Sequence, residues 1–296
     1  RMLEAPTAEE SCKILIECGY PPLEHCTLEE VEKLLALSRA ELYREVAVLA
    51  PDKRIVELFR LKYDYHNAKL ALKAKLTGED VSRLVIDCGR YDASALLRGE
   101  RGMLSSRMGR AMAQAEKEAE GGDIRRAELT LDRACFEEMS ELAGATGNDF
   151  LIGYVALQID AIDLRTLVRA QRMGASDELL SAALLPGGHI PAEQLKTARG
   201  DRLAELTRGS ALSAAGELAA ATLGGSGSLT AFERACDDAL VRYLQRARRT
   251  PFGPEVIVGY LSAKEAEFTA VRTILSGKLA GLDAEDIRAR LRLSYL

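Results

Sequence analysis

Carboxylates close together in the sequence are the residues best placed to do chemistry. Asp160 and Asp163 are three residues apart in a helical stretch, so both can lie on one helix face. Asp237 and Asp238 are adjacent, and a third acid, Glu233, precedes them. A helical enzyme that binds metal through aspartates, such as a prenyl synthase, needs dense DDxxD clusters facing one another across a cavity. Neither group of acids has that density, so we expect no metal site and no catalytic site.

Glycine-rich nucleotide-binding motifs are also absent. The only Gly-Lys pair, Gly277-Lys278, is followed by Leu279 and has Arg272 where a phosphate-binding loop needs its first glycine. The GGSGS stretch at residues 224–228 is a linker-like sequence with no strand before it, unlike a dinucleotide-binding turn. We therefore expect no bound nucleotide and no other cofactor.

Histidine and cysteine give no better candidates. The chain has three histidines and six cysteines, and no CxxC pair. Cys12, Cys18, His25 and Cys26 are close in sequence, but their spacing fits none of the usual zinc patterns. The sequence favours buried free thiols in a reducing compartment.

Three helical stretches each carry an acid and, five residues later, a base. The acid lies on one side of an apolar stripe and the base on the other. The pairs are Asp64 and Lys69, Asp160 and Arg165, and Glu267 and Arg272. Side chains five residues apart do not stack as an i, i+4 pair, so the two charges of a pair should face different neighbouring helices. We expect these six residues to tie each core helix to its neighbours, as structural and not docking residues.

The three stretches also resemble one another in sequence. They are 96 and 107 residues apart, LKAKLTG from Leu72 matches LSGKLAG from Leu275, and LDRACFEE from Leu131 resembles FERACDDA from Phe232. Repetition at similar spacing predicts three related helical units, which we place at residues 1–100, 101–200 and 201–296.

Composition limits the class of protein. With 47% hydrophobic and 29% charged residues and no long Val/Ile/Thr alternation, the chain is predicted to be all-α. Its net charge of −5 argues against a nucleic-acid partner, and the short basic clusters at residues 246–249 and 288–292 are expected to complement helix dipoles. No apolar run is long enough to span a bilayer and no signal peptide is visible, so we expect a cytosolic chain.

Local signals place several helix ends. Capping boxes at Thr7/Glu10, Thr27/Glu30 and Ser38/Glu41 each predict the start of a helix. The three core helices are predicted from residue 52 to 76, up to Gly174, and from Pro254 onwards. Asp283 is predicted to cap a final helix that ends at Tyr295 and Leu296.

The C-terminal third carries a family signature. Residues 254–291 closely resemble the signature region of the C subunits of V/A-type ATP synthases, which are equivalent to the d subunits of eukaryotic V-ATPases. Weaker resemblance runs through residues 17–20 and 59–75, so it covers essentially the whole chain. The matching residues are Pro254, Tyr260, Lys264, Glu265, Glu267, Arg272, Ile274, Leu275, Gly277 and Lys278.

This resemblance implies a funnel of three similar helical units around a pseudo-threefold axis. Proteins of this family are non-catalytic, monomeric sockets of a rotary motor, cytoplasmic and peripheral to the membrane. They bind the D and F subunits of the central shaft and sit on the membrane rotor ring of c/K subunits. Family members usually begin with a further stretch of helix before the one that opens this chain, so the first unit is expected to be trimmed.

Two other functions are compatible with the residues alone. A helical-repeat adaptor would bind a peptide or partner helix in a groove, and binding to an isolated linear motif would distinguish it. An all-α enzyme would use the region of Asp160 and Asp163, and stabilisation by a divalent metal would reveal it.

Overall fold

The computed structural model describes residues 1–293, and within that range the chain forms fourteen α-helices, two short 3-10 helices and no strand, which confirms the all-α prediction. The 3-10 helices are Ser82–Leu84 and Arg246–Arg249. The α-helices are α1 Ala8–Glu17, α2 Leu28–Leu49, α3 Lys53–Thr77, α4 Ala93–Leu97, α5 Ser106–Glu120, α6 Ile124–Thr146, α7 Asp149–Arg172, α8 Asp177–Ala183, α9 Ala192–Thr197, α10 Arg202–Thr207, α11 Ser213–Leu223, α12 Leu229–Gln245, α13 Pro254–Leu279 and α14 Ala284–Arg290.

The predicted core helices are α3, α7 and α13, and their ends follow local signals. Asp52 caps α3 by accepting a hydrogen bond from the backbone N–H of Arg54, and Gly78 ends it with a φ of 69°. That left-handed conformation costs glycine little, which is why the helix stops there. Pro254 is the first residue of α13, where its missing N–H leaves no helical hydrogen bond unmade.

Two of the three predicted capping boxes open helices. The hydroxyl oxygens of Thr7 and Thr27 each accept a hydrogen bond from the backbone N–H three residues later. The prediction of a helix start at Ser38 is wrong, because α2 runs unbroken from Leu28 to Leu49. A continuous buried stripe that includes Val31, Leu35 and Leu42 keeps this region helical across the local capping signal.

The final helix is shorter than predicted. Asp283 does cap α14, whose helical structure ends at Arg290. Leu291 is already in an extended conformation. The predicted end at Tyr295 and Leu296 lies outside the described residues.

The N-terminal ends of the three core helices are joined to one another. Arg54, in the first turn of α3, donates a hydrogen bond to the carbonyl oxygen of Ala145 in the last turn of α6. Asn148, the N-cap of α7, donates to Glu255 Oε1 in the first turn of α13 at 2.8 Å. Aromatic rings of Phe59 and Tyr154 stack between α3 and α7 with centroids 6.0 Å apart. These contacts bring the three helix starts to one end of the molecule.

The buried apolar residues form two clusters that share α7. The larger combines residues of α1 to α7 and α13, including Leu61, Leu151 and Val258. The smaller packs the C-terminal half of α7, from Leu157 onwards, against α8 to α12, and includes the fully buried Phe232. Because α7 belongs to both clusters, it links the two parts of the hydrophobic core.

The two ends of the chain are packed together. Helices α1 and α2 lie against α13. Lys278 of α13 donates a hydrogen bond to the carbonyl oxygen of Ala5, and Arg288 of α14 pairs with Glu4 at 2.5 Å. The N-terminal segment therefore packs on the core helix that is furthest from it in sequence.

Candidate functional site

Asp64 of α3 fixes a loop that precedes α4. Its carboxylate is fully buried and accepts hydrogen bonds from the backbone N–H groups of Arg90 and Tyr91 at 2.7 and 3.2 Å. Arg90 Nε adds an ion pair to the other carboxylate oxygen at 2.7 Å. Burial raises the pKa of Asp64 above its ordinary value, while the hydrogen bonds from Arg90 and Tyr91 act in the opposite direction. We call Asp64 and residues 89–91 the first aspartate clamp.

Asp160 of α7 makes the same arrangement with the loop that precedes α9. Its carboxylate, 3% exposed, accepts from the backbone N–H groups of His189 and Ile190 at 3.1 and 2.9 Å. The side chain of His189 lies beside the same carboxylate, with Nδ1 at 3.0 Å from Oδ2. We call Asp160 and residues 188–190 the second aspartate clamp.

A glycine makes each clamp possible. A Cβ atom added to Gly89 would lie 2.2 Å from Asp64 Oδ1, and one added to Gly188 would lie 2.2 Å from Asp160 Oδ1. Contacts this short are forbidden by van der Waals repulsion, so only glycine lets the backbone approach the carboxylate. In the sequence, the only sign of each clamp is the spacing between a helical aspartate and a glycine. This spacing is 25 residues in the first clamp and 28 in the second.

A second polar residue supports each clamp one helical turn further on. Asn67 donates from Nδ2 to the carbonyl oxygen of Ile86 at 2.8 Å and accepts from its N–H at 3.1 Å. Asp163 accepts from the backbone N–H of Leu185 at 2.9 Å. Burial raises the pKa of Asp163 to about 7, and the nearby Asp160 charge adds to the effect. Asp160 and Asp163, the first two acids considered for catalysis, thus hold a loop through its backbone, whereas Asp237, Asp238 and Glu233 pair with arginines.

Glu267 of α13 has different partners. It accepts a hydrogen bond from the hydroxyl of Tyr20, in the segment between α1 and α2, and from Lys264 Nζ at 3.0 Å. Its side chain is 40% exposed, and no backbone N–H of the described residues donates to it. Glu267 therefore joins α13 to the N-terminal segment through a side chain.

The three predicted bases each reach an acid on another helix. Lys69 of α3 pairs with Asp132 of α6 at 2.5 Å. Arg165 of α7 pairs with Asp237 of α12. Arg272 of α13 pairs with Glu32 of α2, and these two side chains are 60% and 37% exposed. The charges that flank each apolar stripe therefore contact different neighbouring elements.

Glu265 of α13 is the most connected carboxylate among residues 1–293 and was not among the predicted site residues. It accepts hydrogen bonds from the hydroxyls of Tyr43 of α2 and Tyr63 of α3 at 2.8 and 2.5 Å. Lys62 Nζ lies at 3.1 Å and Arg39 Nε at 3.6 Å from its Oε2. One side chain thus joins α2, α3 and α13.

The electrostatics of Glu265 favour its charged form. Burial alone would raise the pKa of its carboxyl, but Lys62, Tyr63 and Arg39 together outweigh burial and leave the pKa below its ordinary value. The resemblance did include Glu265, three residues before the buried Phe268. The sequence sign that could have selected Glu265 was its place in the signature, close to an aromatic residue of the apolar stripe.

The cysteines are all free thiols, as predicted, but they are not all buried. Cys88, Cys135 and Cys236 are buried, Cys12 and Cys26 are half-buried, and Cys18 is exposed. Across residues 1–293, no group of three or more His, Cys, Asp or Glu side chains is arranged to hold a metal ion. Over the same residues, no helix combines the length and apolarity that crossing a membrane requires.

Comparison with known proteins covers almost the whole chain. The family model for the ATP synthase (C/AC39) subunit matches residues 1–290. The C subunit of the V-type sodium ATPase of Enterococcus hirae is 23% identical, over all of this chain and 92% of the relative. The C subunit of the A-type ATP synthase of Methanocaldococcus jannaschii is 26% identical, over 98% of this chain and 80% of the relative. The C subunit of the V-type ATP synthase of Thermus thermophilus is 26% identical, over 86% of this chain and 79% of the relative.

The match extends from the N-terminal segment through both aspartate clamps to α14, so it includes every charged contact described above. It also agrees with the resemblance carried by residues 254–291. The chain belongs to the ATP synthase (C/AC39) subunit family, which contains the C subunits of V/A-type ATP synthases.

Proposed function

We propose that this chain is the non-catalytic central-stalk subunit of a rotary V/A-type ATPase. In this role it joins the shaft formed by the D and F subunits to the membrane rotor ring and passes torque between them. It would act on the cytoplasmic side of the membrane, peripheral to it through the ring, in ion transport or ATP synthesis. The observation that carries the proposal is the family match over residues 1–290.

A torque-transmitting subunit needs a stiff body, and the charged contacts support that requirement. Glu265 links α2, α3 and α13, while the two aspartate clamps fix loops to α3 and α7. Buried charge networks whose members are all paired resist rearrangement, because separating them leaves an uncompensated charge. We infer that the six predicted charges serve this stiffness within three related units, around a pseudo-threefold axis, and do not bind the partners.

The test is co-purification of the tagged chain with co-expressed D and F subunits, followed by binding to membranes that contain the rotor ring. We expect binding to both and no ATP hydrolysis by the chain alone. Lys69→Ala and Arg272→Ala should bind as the unchanged chain does, because these residues contact α6 and α2. Failure to bind either partner at low salt would contradict the proposal.

A further inference from the structure

The basic cluster at residues 246–249 differs from the other basic cluster of this chain. In the C-terminal cluster, two of the three arginines have acidic partners: Arg288 pairs with Glu4 at 2.5 Å and Arg292 with Asp237 at 2.6 Å. Arg248 and Arg249 are exposed, and no residue among 1–293 forms an ion pair or hydrogen bond with their guanidinium groups. The prediction that this cluster only complements a helix dipole therefore leaves its free charges unexplained.

The free arginines extend over two helical turns. Arg242, Arg246 and Arg249 follow one another at intervals of four and three residues, which places them along one face of the end of α12 and the following 3-10 helix. The buried Leu244 and Ala247 lie on the opposite face. Arg246 stacks on the ring of Tyr243, 4.8 Å from its centroid, and is otherwise unpaired within the described residues.

An exposed apolar strip begins where the arginines end. Phe252 is 87% exposed, the largest fraction among the large hydrophobic residues described. It stands between Pro251 and Pro254, whose fixed φ angles restrict the loop. Val256, the third residue of α13, is 44% exposed. We call Arg242, Arg246, Arg248, Arg249, Phe252 and Val256 the arginine–phenylalanine surface.

The balance of charge at this end of the molecule is positive. Three acids lie close by: Asp149 in the first turn of α7, Glu255 in the first turn of α13, and Asp238, one turn before Arg242 on α12. Glu255 is already bonded to Asn148 at 2.8 Å, and Asp238 to Arg234 and the backbone N–H of Leu293. Four arginines without an acidic partner among residues 1–293 thus face three acids, two of which have other partners, in a chain whose net charge is −5. Such a local excess selects an anionic partner.

We propose that the arginine–phenylalanine surface binds the anionic headgroups of a lipid bilayer, with Phe252 inserted at the interface. Clusters of arginine beside exposed aromatic and aliphatic residues bind such surfaces because headgroup phosphates neutralise the arginines while the apolar side chains leave water. A fluid lipid surface can match charges spread over two turns without a fixed register, whereas an acidic protein must fit them one by one. The proposal concerns a lipid contact made directly by this chain and does not depend on the proposed rotary function.

The test is flotation of the purified full chain with vesicles of phosphatidylcholine, alone or mixed with phosphatidylglycerol. We expect binding only to the mixed vesicles, and weaker binding at high salt. The double substitution Arg248→Ala with Arg249→Ala should lower the partition coefficient about 25-fold, since each arginine near an anionic surface contributes roughly a factor of five. Phe252→Ser should weaken binding several-fold without changing the net charge.

A matched control removes two other exposed arginines that are unpaired among the described residues, Arg125 and Arg172. The variant with both changed to alanine has the same net charge as the double arginine variant, and we expect it to bind as the unchanged chain does. Thermal unfolding of all variants must show one native fold. Absence of binding to the mixed vesicles would overturn the proposal and leave an acidic protein as the alternative partner of the surface. Equal loss in the two double variants would overturn it too, because only net charge would then matter.

Discussion

Gly89 lies so close to Asp64 that a Cβ atom on the glycine would be 2.2 Å from the carboxylate oxygen Oδ1. The same distance separates a Cβ added to Gly188 from Asp160 Oδ1. A core helix therefore holds a loop by direct contact between a buried carboxylate and the backbone in both the first and the second aspartate clamp.

We expect Gly89→Ala and Gly188→Ala each to lower the free energy of unfolding by about 1–3 kcal/mol, because the added methyl group must displace a buried carboxylate from its donors. Urea denaturation measures the effect. The control is Gly144→Ala, in the last turn of α6, where the added Cβ would have no atom within 4 Å outside its own helix backbone and chain neighbours. There alanine should be neutral or stabilise the helix by up to about 1 kcal/mol. A neutral result at both clamp glycines would show that the loops yield easily.

The predicted charges should differ strongly in their contribution to stability. Asp64→Ala should cost about 3–5 kcal/mol, because it leaves two backbone N–H groups without their acceptor and removes one of the two carboxylates, Asp64 and Glu138, that pair with Arg90. Arg272→Ala should cost about 0–1 kcal/mol, because its pair with Glu32 is exposed to solvent. Chemical denaturation of the two variants measures both effects. Equal costs would mean that burial does not decide the strength of these contacts.

Glu265 should stabilise the fold mainly as an anion. Glu265→Gln keeps an acceptor for Tyr43 and Tyr63 but leaves Lys62 and Arg39 without a counter-charge, so we expect a loss of about 2 kcal/mol at pH 7. The pKa of Glu265 is lowered in the fold, so its contribution is present above the unfolded-state pKa and is lost as pH falls through the folded one. The difference between the two proteins should therefore disappear in acid, which denaturation between pH 7 and pH 3 would reveal.

The contribution of Asp163 to stability should depend on pH in the opposite direction to that of Glu265. Its pKa is raised from 3.8 to about 7 by burial, so the folded state holds a proton that the unfolded state loses between those values. Its contribution to stability is present below pH 4 and is lost as pH rises towards 7. We expect Asp163→Asn to be more stable than the unchanged chain by about 1–3 kcal/mol at pH 8, and nearly equal to it at pH 4.

Asn67 provides an internal precedent for that substitution, since it occupies the corresponding position in the first clamp and bonds to both backbone groups of Ile86. Denaturation midpoints at the two pH values measure the effect. If Asp163→Asn stabilised the protein more at pH 4 than at pH 8, the pH dependence would have the opposite sign and would contradict a raised pKa of Asp163.

Thiol reactivity should follow exposure. Cys18 is exposed, whereas burial raises the pKa of Cys135 to about 12 and those of Cys88 and Cys236 to about 11. A hydrogen bond with Cys26 adds to burial in raising the pKa of Cys12 to about 12. Since the thiolate is the reactive form, we expect Cys18 to react first with an aromatic disulfide reagent at pH 8. Loss of the fast phase in Cys18→Ser is the check; its persistence would point to another thiol.

The sequence alone determined the helical class and the positions of the core helices. The N-cap Asp52, the closing Gly78 and the initial Pro254 act within one turn of their own helices, so their effect can be predicted without the rest of the chain. The five-residue spacing of acid and base around each apolar stripe also lies within a single helix, so it can be recognised without the rest of the chain. This is why the charges at 64, 69, 160, 165, 267 and 272 could be selected, although their structural role remains a prediction.

Only the tertiary structure decided the partners of these charges. Glu265 meets Tyr43 and Tyr63 across 222 and 202 residues of sequence, and Tyr20 reaches Glu267 across 247. Helical periodicity states which way a side chain faces but not which distant segment packs there. That choice depends on the burial of all the apolar faces together, which here packs the first two helices against α13.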